Sequence, residues 1–292
     1  MNEQGSKEPI DSKYISPAPV CCQSCGGISP NWNLVYSDLG IYRCGFCSSL
    51  SFFSQDILDS IKLYNAGYFE GGEYRDYQGH RRAHEAGFQK KWHLIKSHLS
   101  GDPRVFEIGC AYGFFINYVM HNGASKAFGV DVNPAIVSRA VSNFGPMFGD
   151  ATATPHFPFN CLVAWDVWEH LEAPFSFFSQ ALKTLEPGGL LAVTTVDSSS
   201  FVARARGSRW RQIHPPTHIH YPTFSAMNLC MGALGLEVVH HSHFAQVRAM
   251  EMYLAALHLD FLLPQRSEIR KLPLGLNLYD IQLVIARKPL RP

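Results

Sequence analysis

"RVFEIGCAYGFF", residues 104–115, decides the fold. Val105 to Ile108, apolar except for Glu107, has the length of a short buried strand, and it passes directly into a glycine-bearing turn. The "FFINYVMHNG" that follows has the apolar spacing of a helix that stops at Gly123. In open α/β sheets a ligand sits where a strand's carboxyl end meets the next helix. Gly109 and Gly113 would let the backbone approach such a ligand closely. Two glycine patterns compete. A dinucleotide turn needs G-x-G-x-x-G, but counting from Gly109 puts Ala111 and Phe114 at the other two glycine positions. The alternative, E-x-G-x-x-x-G with Glu107 on the strand, fits the residues as they stand.

Outward from this turn the chain alternates strand and helix. "KAFGVDV" (126–132) reads as a strand and "PAIVSRAVSNFG" (134–145) as a helix with Pro134 in its first turn. "CLVAWD" (161–166) and "LLAVTTVD" (190–197) read as strands around a helical "PFSFFSQALKTLEPGG" (174–189). "FSAMNLCMGALG" (224–235) reads as a helix, then "LEVVHHSHF" (236–244) and "YDIQLVIARKP" (279–289) as strands. Such alternation implies a parallel sheet with helices on both faces. The apolar stretch 247–263 reads as a helix used for packing or as a homodimer surface. Upstream, Phe88, Trp92, Ile95 and Leu99 recur at helical spacing, which leaves His80, His84, His93 and His98 for the solvated face. "LYNAGYFEGGEYRDYQG" (63–79) has no clean period and reads as an aromatic lid.

The acids are spaced in series. Asp131 follows the glycine turn by about 20 residues, where a carboxylate accepts both hydroxyls of a ribose. Asp150 in "FGDATATP", then "FNCLVAWDVWEHLEAP" and "LKTLEPGGLLAVTTVD", follow in order. The series resembles the class I S-adenosylmethionine-dependent methyltransferases. "YNAGYFEGGEYRDY", "WDVWEHLEAP", "GSRWRQIHPPTHIHYPTFSAMNL" and "LVIARKP" are similar to a subgroup that carries an N-terminal zinc ribbon, with coverage from Cys22 to Lys288. The chain departs from the pattern at Ala111, Asn160 and Pro222. The resemblance implies a Rossmann-like, seven-stranded, mostly parallel sheet with an antiparallel last strand. It also implies S-adenosylmethionine bound by Glu107, Gly109, Cys110, Ala111, Gly113, Asp131, Val132, Asp150, Ala151 and Asp166. Tyr74, Arg206, Arg209, Trp210 and Tyr221 are the residues expected to meet the acceptor.

Five of the eight cysteines lie between Cys21 and Cys47. Cys22 and Cys25 form one C-x-x-C and Cys44 and Cys47 another, a zinc-ribbon arrangement. Four thiolates close the metal's shell, so the zinc would be structural, contributing on the order of 10 kcal/mol to folding. The expected organisation is a tail (1–17), the ribbon (18–55), a lid and linker helix (56–101), and a methyltransferase domain (102–292).

Composition sets bounds on the rest. The chain has 292 residues, 46% of them apolar, which suffices for a filled core. A net charge of +1 gives no global attraction to nucleic acid or anionic membrane. No apolar run approaches the ~18 residues of a membrane span. The polar N-terminus holds no apolar signal core, which makes the cytoplasm the expected compartment and thiols the expected state of the cysteines.

Methyl transfer needs alignment above all, and a base when the acceptor is a hydroxyl. His170, His218 and His220 are the candidate bases. His218 and His220 would face opposite sides of an extended segment, with His218 favoured. Asp166, Glu169 and His170 form a D-x-x-E-H similar to one in quinone O-methyltransferases that is associated with a divalent cation. Arg204, Arg206, Arg209 and Arg211 would suit a phosphorylated substrate. The expected activity is O-methylation of a small hydroxylated acceptor such as a sugar, a nucleotide-sugar or a natural-product intermediate. A nucleic-acid methyltransferase is the disfavoured alternative, and an inactive fold using the ribbon as a binding module is the other.

Overall fold

The computed structural model describes residues 21–28, 31–53, 79–256, 259–262, 264 and 267–290. Residues 63–78 of the expected lid, Tyr74 among them, lie outside the described residues.

Three short strands follow the first cysteine pair: β1 (Trp32–Tyr36), β2 (Ile41–Cys44) and β3 (Leu50–Phe52). Helix α1 (Arg81–His98) leads to β4 (Arg104–Ile108), α2 (Phe114–His121), β5 (Lys126–Asp131), α3 (Pro134–Phe144), β6 (Phe148–Asp150) and β7 (Phe159–Trp165). Then come α4 (Pro174–Ala181), β8 (Leu185–Val196), α5 (Phe201–Arg206), β9 (His220–Tyr221), α6 (Phe224–Ala233) and β10 (Glu237–His243). The chain closes with β11 (Gln246–Ala249), α7 (Met250–Ala256), β12 (Pro273–Leu276) and β13 (Ile281–Arg287).

Seven strands form the central sheet in the order β10-β13-β8-β7-β4-β5-β6. β13 runs antiparallel to both β8 and β10, while β8, β7, β4, β5 and β6 are parallel. The expected sheet, with its antiparallel closing strand, is therefore what the chain forms. Its strands read as unbroken apolar runs because both faces are covered. Successive residues alternate between two cores. Val105, Cys161, Val163, Leu190, Ala192, Leu283 and Ile285 face α1 and α2, packing on Trp92, Phe115 and Val119. Phe106, Leu162, Ala164, Leu191, Val193, Val284 and Ala286 face α4 and α6, packing on Phe178, Met227 and Met231.

Local chemistry sets several helix boundaries. Asn133 caps α3, its Oδ1 accepting from Ala135 N and Ile136 N, and Pro134 follows as the first helical residue. Ser200 caps α5 and Thr223 caps α6 in the same way. The stretch 247–263 does not form the continuous helix its composition suggests. Gln246–Ala249 pairs antiparallel with Pro273–Leu276, and helix begins only at Met250. Pairing with a distant strand overrides local periodicity there. Similarly, the helix expected over 174–189 ends at Ala181, and β8 begins at Leu185, before the Pro187–Gly188 pair.

The ribbon proves less self-contained than its cysteines suggest. Its sheet runs β1-β2-β3-β9, so its fourth strand comes from residues 220–221. Ile41, Leu50 and Phe52 share a core with Trp210, Ile213, Tyr221, Val196 and Ile281. Burying each such side chain contributes about 1.5–3 kcal/mol. Packing therefore shares with any metal the work of holding the ribbon.

Candidate active site

The sheet order reverses between β4 and β7, which opens a crevice at the carboxyl ends of the parallel strands. A cavity of about 1010 Å³ lies there. One half is bordered by the ends of β4, β5 and β7: Glu107 to Ala111, Val130 to Val132, Ala151, and Trp165 to Val167. The other half is bordered by α1, through His80, His84, Phe88 and Lys91, and by the C-terminal segment, through Phe244, Gln246, Arg248 and Met252.

The glycine turn has the geometry the first reading required. Gly109 has φ +73°, and a Cβ on it would stand 2.6 Å from Val167 Cγ2. A Cβ on Gly113, at φ +77°, would meet the Phe148 ring. Ala111, which departs from the glycine pattern, still takes a left-handed φ of +44°. That conformation costs an alanine about 1 kcal/mol. It lets Ala111 N donate to Asp131 Oδ2 at 2.9 Å, while Asn133 N donates to Oδ1 at 3.0 Å. Two backbone donors thus hold the Asp131 carboxylate at the cavity. Burial raises its pKa, and those two hydrogen bonds oppose the rise. Asp150 pairs in register with Asp131 across β5 and β6, but its Oδ1 accepts from Thr152 N at 2.8 Å. Ala151, its neighbour, borders the cavity.

Lys91 is the residue sequence reasoning missed. It is only 8% exposed, with its ammonium 4.4 Å from the centre of the Trp165 ring and 5.4 Å from that of Phe244. Burial lowers its pKa, and the charges of Asp166, Glu107 and Glu169 oppose the fall. Glu107 experiences the converse: burial pushes its carboxyl well up, with Lys91 opposing. Glu107 Oε2 and Asp166 Oδ1 are buried with no hydrogen-bond partner among the described residues. Asp166 also carries a left-handed φ of +54°, and backbone strain of this kind gathers at functional sites. Lys91 lies on α1 beside Trp92 and Ile95, and only its burial under β11 and Phe244 turns a surface-type residue into a cavity residue.

The candidate bases separate. His170 borders the cavity, with Nδ1 2.8 Å from Thr217 O. His218, favoured from the sequence, is buried behind it with ring centres 4.5 Å apart, and Nδ1 donates to Gln212 O. Burial, followed by the nearby His170 and His214, pushes its pKa well below the ordinary value. His220 lies in β9 against the ribbon, donating through Nε2 to Glu172 O and accepting at Nδ1 from Ser51 Oγ. Burial holds it down to about 4. Neither borders the cavity, because the loop packs against the ribbon rather than over the sheet. Among the described residues, the imidazoles that do border it are His80, His84 and His170. His80 and His84 had been assigned to the solvated face, and β11 with α7 covers that face. His80 Nε2 meets Glu251 Oε1 at 2.7 Å.

The expected acceptor residues lie elsewhere as well. Trp210 is fully buried and donates through Nε1 to Asp280 Oδ2 at 3.1 Å. Tyr221, also buried, donates to His218 O at 2.7 Å. Both belong to the core beneath the ribbon. Arg206 and Arg209 are exposed, outside the cavity lining. Arg211 pairs with Asp280 at 3.1 Å.

Cys22, Cys25, Cys44 and Cys47 converge, each buried, with their sulfurs within 4.8 Å of one another. Zn–S bonds of about 2.3 Å in a tetrahedron put sulfurs about 3.8 Å apart. Cys22 Sγ and Cys47 Sγ stand 3.8 Å apart. Phe46 N donates to Cys44 Sγ at 3.4 Å, a contact that suits a thiolate. The four residues fit a closed metal shell. A second convergence joins Glu169, His170 and His218. The expected D-x-x-E-H grouping is thus altered: the backbone aims Asp166 elsewhere, and His218 comes in from another loop.

The family described as "Methyltransferase domain" matches residues 76–241, more than half of the chain. Among curated proteins, the chain is 25% identical to a tRNA U34 carboxymethyltransferase of Idiomarina loihiensis, covering 52% of this chain and 52% of that protein. It is 24% identical to the protein of the same name in Alteromonas mediterranea, covering 50% and 49%. The chain thus spans about half the length of the curated relatives it matches. Among solved structures, magnesium protoporphyrin IX methyltransferase of Synechocystis PCC 6803, with bound SAH, matches with a TM-score of 0.50 at 13% identity, over 76% of this chain and 96% of that one. That likeness is one of fold. No helix among the described residues is long and apolar enough to cross a membrane.

Proposed function

Since the chain belongs to the methyltransferase-domain family, we propose that it transfers a methyl group from S-adenosylmethionine to a small acceptor carrying a hydroxyl. The observation that carries this is the Asp131 carboxylate, held by Ala111 N and Asn133 N and bordering the cavity at the end of β5. In a parallel α/β sheet, such an acid serves the hydroxyls of a ribose. Gly109 to Ala111, Val132 and Ala151, which line the same part of the cavity, would hold the rest of the donor. S-adenosylmethionine supplies a methyl group already activated on a sulfonium. The protein's work is to align the acceptor and exclude water, which offsets about 7–11 kcal/mol of barrier. The acceptor's proton leaves to an imidazole in the far half of the cavity, where His84 and His170 stand. The thiol cluster holds a structural zinc, which supports the loop that carries His218.

A second reading makes the acceptor an RNA nucleotide. The curated relatives' names support it, as do the exposed Arg204, Arg206 and Arg209, which suit phosphate contacts. The largely apolar lining of Phe88, Phe244, Val247 and Met252 favours the small acceptor. Calorimetry against S-adenosylhomocysteine tests the donor, and an absence of binding overturns both readings. Release of S-adenosylhomocysteine with a small-molecule extract, and none with bulk tRNA, is the result expected. The reverse pattern establishes the second reading instead.

A further inference from the structure

Gln246 and Arg248 stand two apart on β11 and so share a face. Arg248 Nη2 donates to Gln246 Oε1 at 3.0 Å, and pairing with Leu276 and Leu274 of β12 fixes the backbone of both. A second guanidinium approaches the same amide oxygen: Arg211 Nη1 and Nη2 each lie 3.5 Å from Gln246 Oε1. Two like charges drawn to one neutral oxygen repel each other unless an anion answers them. Arg211 is answered. Its Nε and Nη2 donate to the two carboxylate oxygens of the buried Asp280 at 3.3 and 3.1 Å. Arg248 is not: among the described residues no carboxylate pairs with it, and Gln246 is its one hydrogen-bond acceptor. Its guanidinium borders the cavity. Lys91 is the other lysine or arginine among the described lining residues, and it already has the charges of Asp166, Glu107 and Glu169 beside it. Around Arg248 the lining is apolar, through Phe244, Val247 and Met252. A single charged group in apolar surroundings is how small-ligand sites fix orientation.

We propose that the acceptor carries a carboxylate, which docks on the Arg248 guanidinium. This rests on the methyl-transfer reading above and names the acceptor's class within it: a small hydroxylated carboxylic acid. The planar fork of a guanidinium matches the two oxygens of a carboxylate and holds it in one orientation. The charge balance selects the same group. One uncompensated positive charge suits a monoanion, whereas a phosphate dianion would need Arg211 as well, and Asp280 has already claimed that side chain. Arg248 sits on a paired strand and Gln246 restrains its fork, so the anchor is placed before the ligand arrives. Held there, the acid extends its hydroxyl away from β11 toward the ends of β4 and β5, where Asp131 borders the same cavity. Arg211, read from the sequence as a phosphate contact, instead positions Gln246 and through it Arg248.

The test is calorimetry on the full-length protein, with and without saturating S-adenosylhomocysteine. The probes are 4-hydroxybenzoate, caffeate, the methyl esters of both, and phenyl phosphate. Each acid is expected to bind about tenfold more tightly than its ester, and more tightly than phenyl phosphate. Arg248→Gln should remove that preference, weakening the acids about tenfold and leaving the esters within about twofold, with S-adenosylhomocysteine affinity retained. Arg248→Lys keeps the charge without the fork and should keep part of the preference. Equal binding of acids and esters overturns the proposal. So does a preference that survives Arg248→Gln, or tighter binding of phenyl phosphate. S-adenosylhomocysteine affinity that falls in Arg248→Gln as far as acid affinity overturns it too, by assigning the guanidinium to the donor. Failure of the wild type to bind S-adenosylhomocysteine strikes the methyl-transfer reading instead, and the acid preference is then read on the protein alone.

Discussion

The two halves of the cavity are built differently. The half at the ends of β4 and β5 comes from short stretches: Glu107 to Ala111, Val130 to Val132, and Ala151. The opposite half takes Lys91 and His84 from α1, Phe244 and Arg248 from the region of β11, and Met252 from α7, about 160 residues away in the chain. The first half is held by hydrogen bonds within a turn. The second depends on two distant surfaces packing together, and through His170 and Thr217 it adjoins the loop that leans on the ribbon. One half of such a cavity can therefore be nearly self-assembled while the other depends on the rest of the fold.

Cys44→Ser is expected to have the largest effect. It should release about one zinc per chain and lower Tm by roughly 15 °C, since structural zinc contributes on the order of 10 kcal/mol. If the two halves are as separate as described, turnover falls before S-adenosylhomocysteine affinity does. Equal losses in calorimetry and turnover would show a single cooperative site. Asp131→Ala should weaken S-adenosylhomocysteine on the order of 100-fold, through the loss of charge-assisted hydrogen bonds, and lower Tm by only a few degrees, as Ala111 N and Asn133 N lose their acceptor. Arg248→Gln should leave that affinity within about twofold and reduce turnover on the order of tenfold. Donor affinity falling as far as in Asp131→Ala would erase the boundary between the halves.

Glu107→Gln gives the smallest and most diagnostic effect. Burial raises the Glu107 pKa above the unfolded value of 4.5. The folded state is therefore favoured when Glu107 is protonated, and that stability is lost as pH rises through the folded pKa. Glutamine removes the penalty, so the variant's Tm should exceed that of wild type more at pH 8 than at pH 5. Thermal melts at both values check the sign, and a larger advantage at pH 5 would reverse the assignment.

The half of the cavity at the ends of β4 and β5 was legible because its information is local. A strand, a glycine turn and an acid one strand later occupy about 30 residues, and the positive φ values at Gly109, Ala111 and Gly113 are a property of that turn. The thiol cluster was legible for the same reason, through its C-x-x-C pairs. The histidine loop was not. His218 and His220 of "HPPTHIHYP" were the candidates to face a substrate, with His218 favoured, but the pairing of His220–Tyr221 with Leu50–Ser51 turned that segment toward the ribbon. Trp210 and Tyr221 were read as acceptor contacts for want of that pairing. Lys91 gave no signal at all. A lysine at an otherwise solvated helical position becomes a buried cation only when another element covers it.

By itself, then, the sequence determined the alternating α/β architecture, the glycine–acid turn and the four-thiol cluster. Short-range steric and hydrogen-bond rules produce these wherever their residues occur. Tertiary structure alone decided which histidines meet the cavity, that Lys91 is desolvated between Trp165 and Phe244, and that Glu169, His170 and His218 converge. Those outcomes depend on which distant surfaces exclude water from one another, and hydrophobic burial is non-directional until the whole chain has packed.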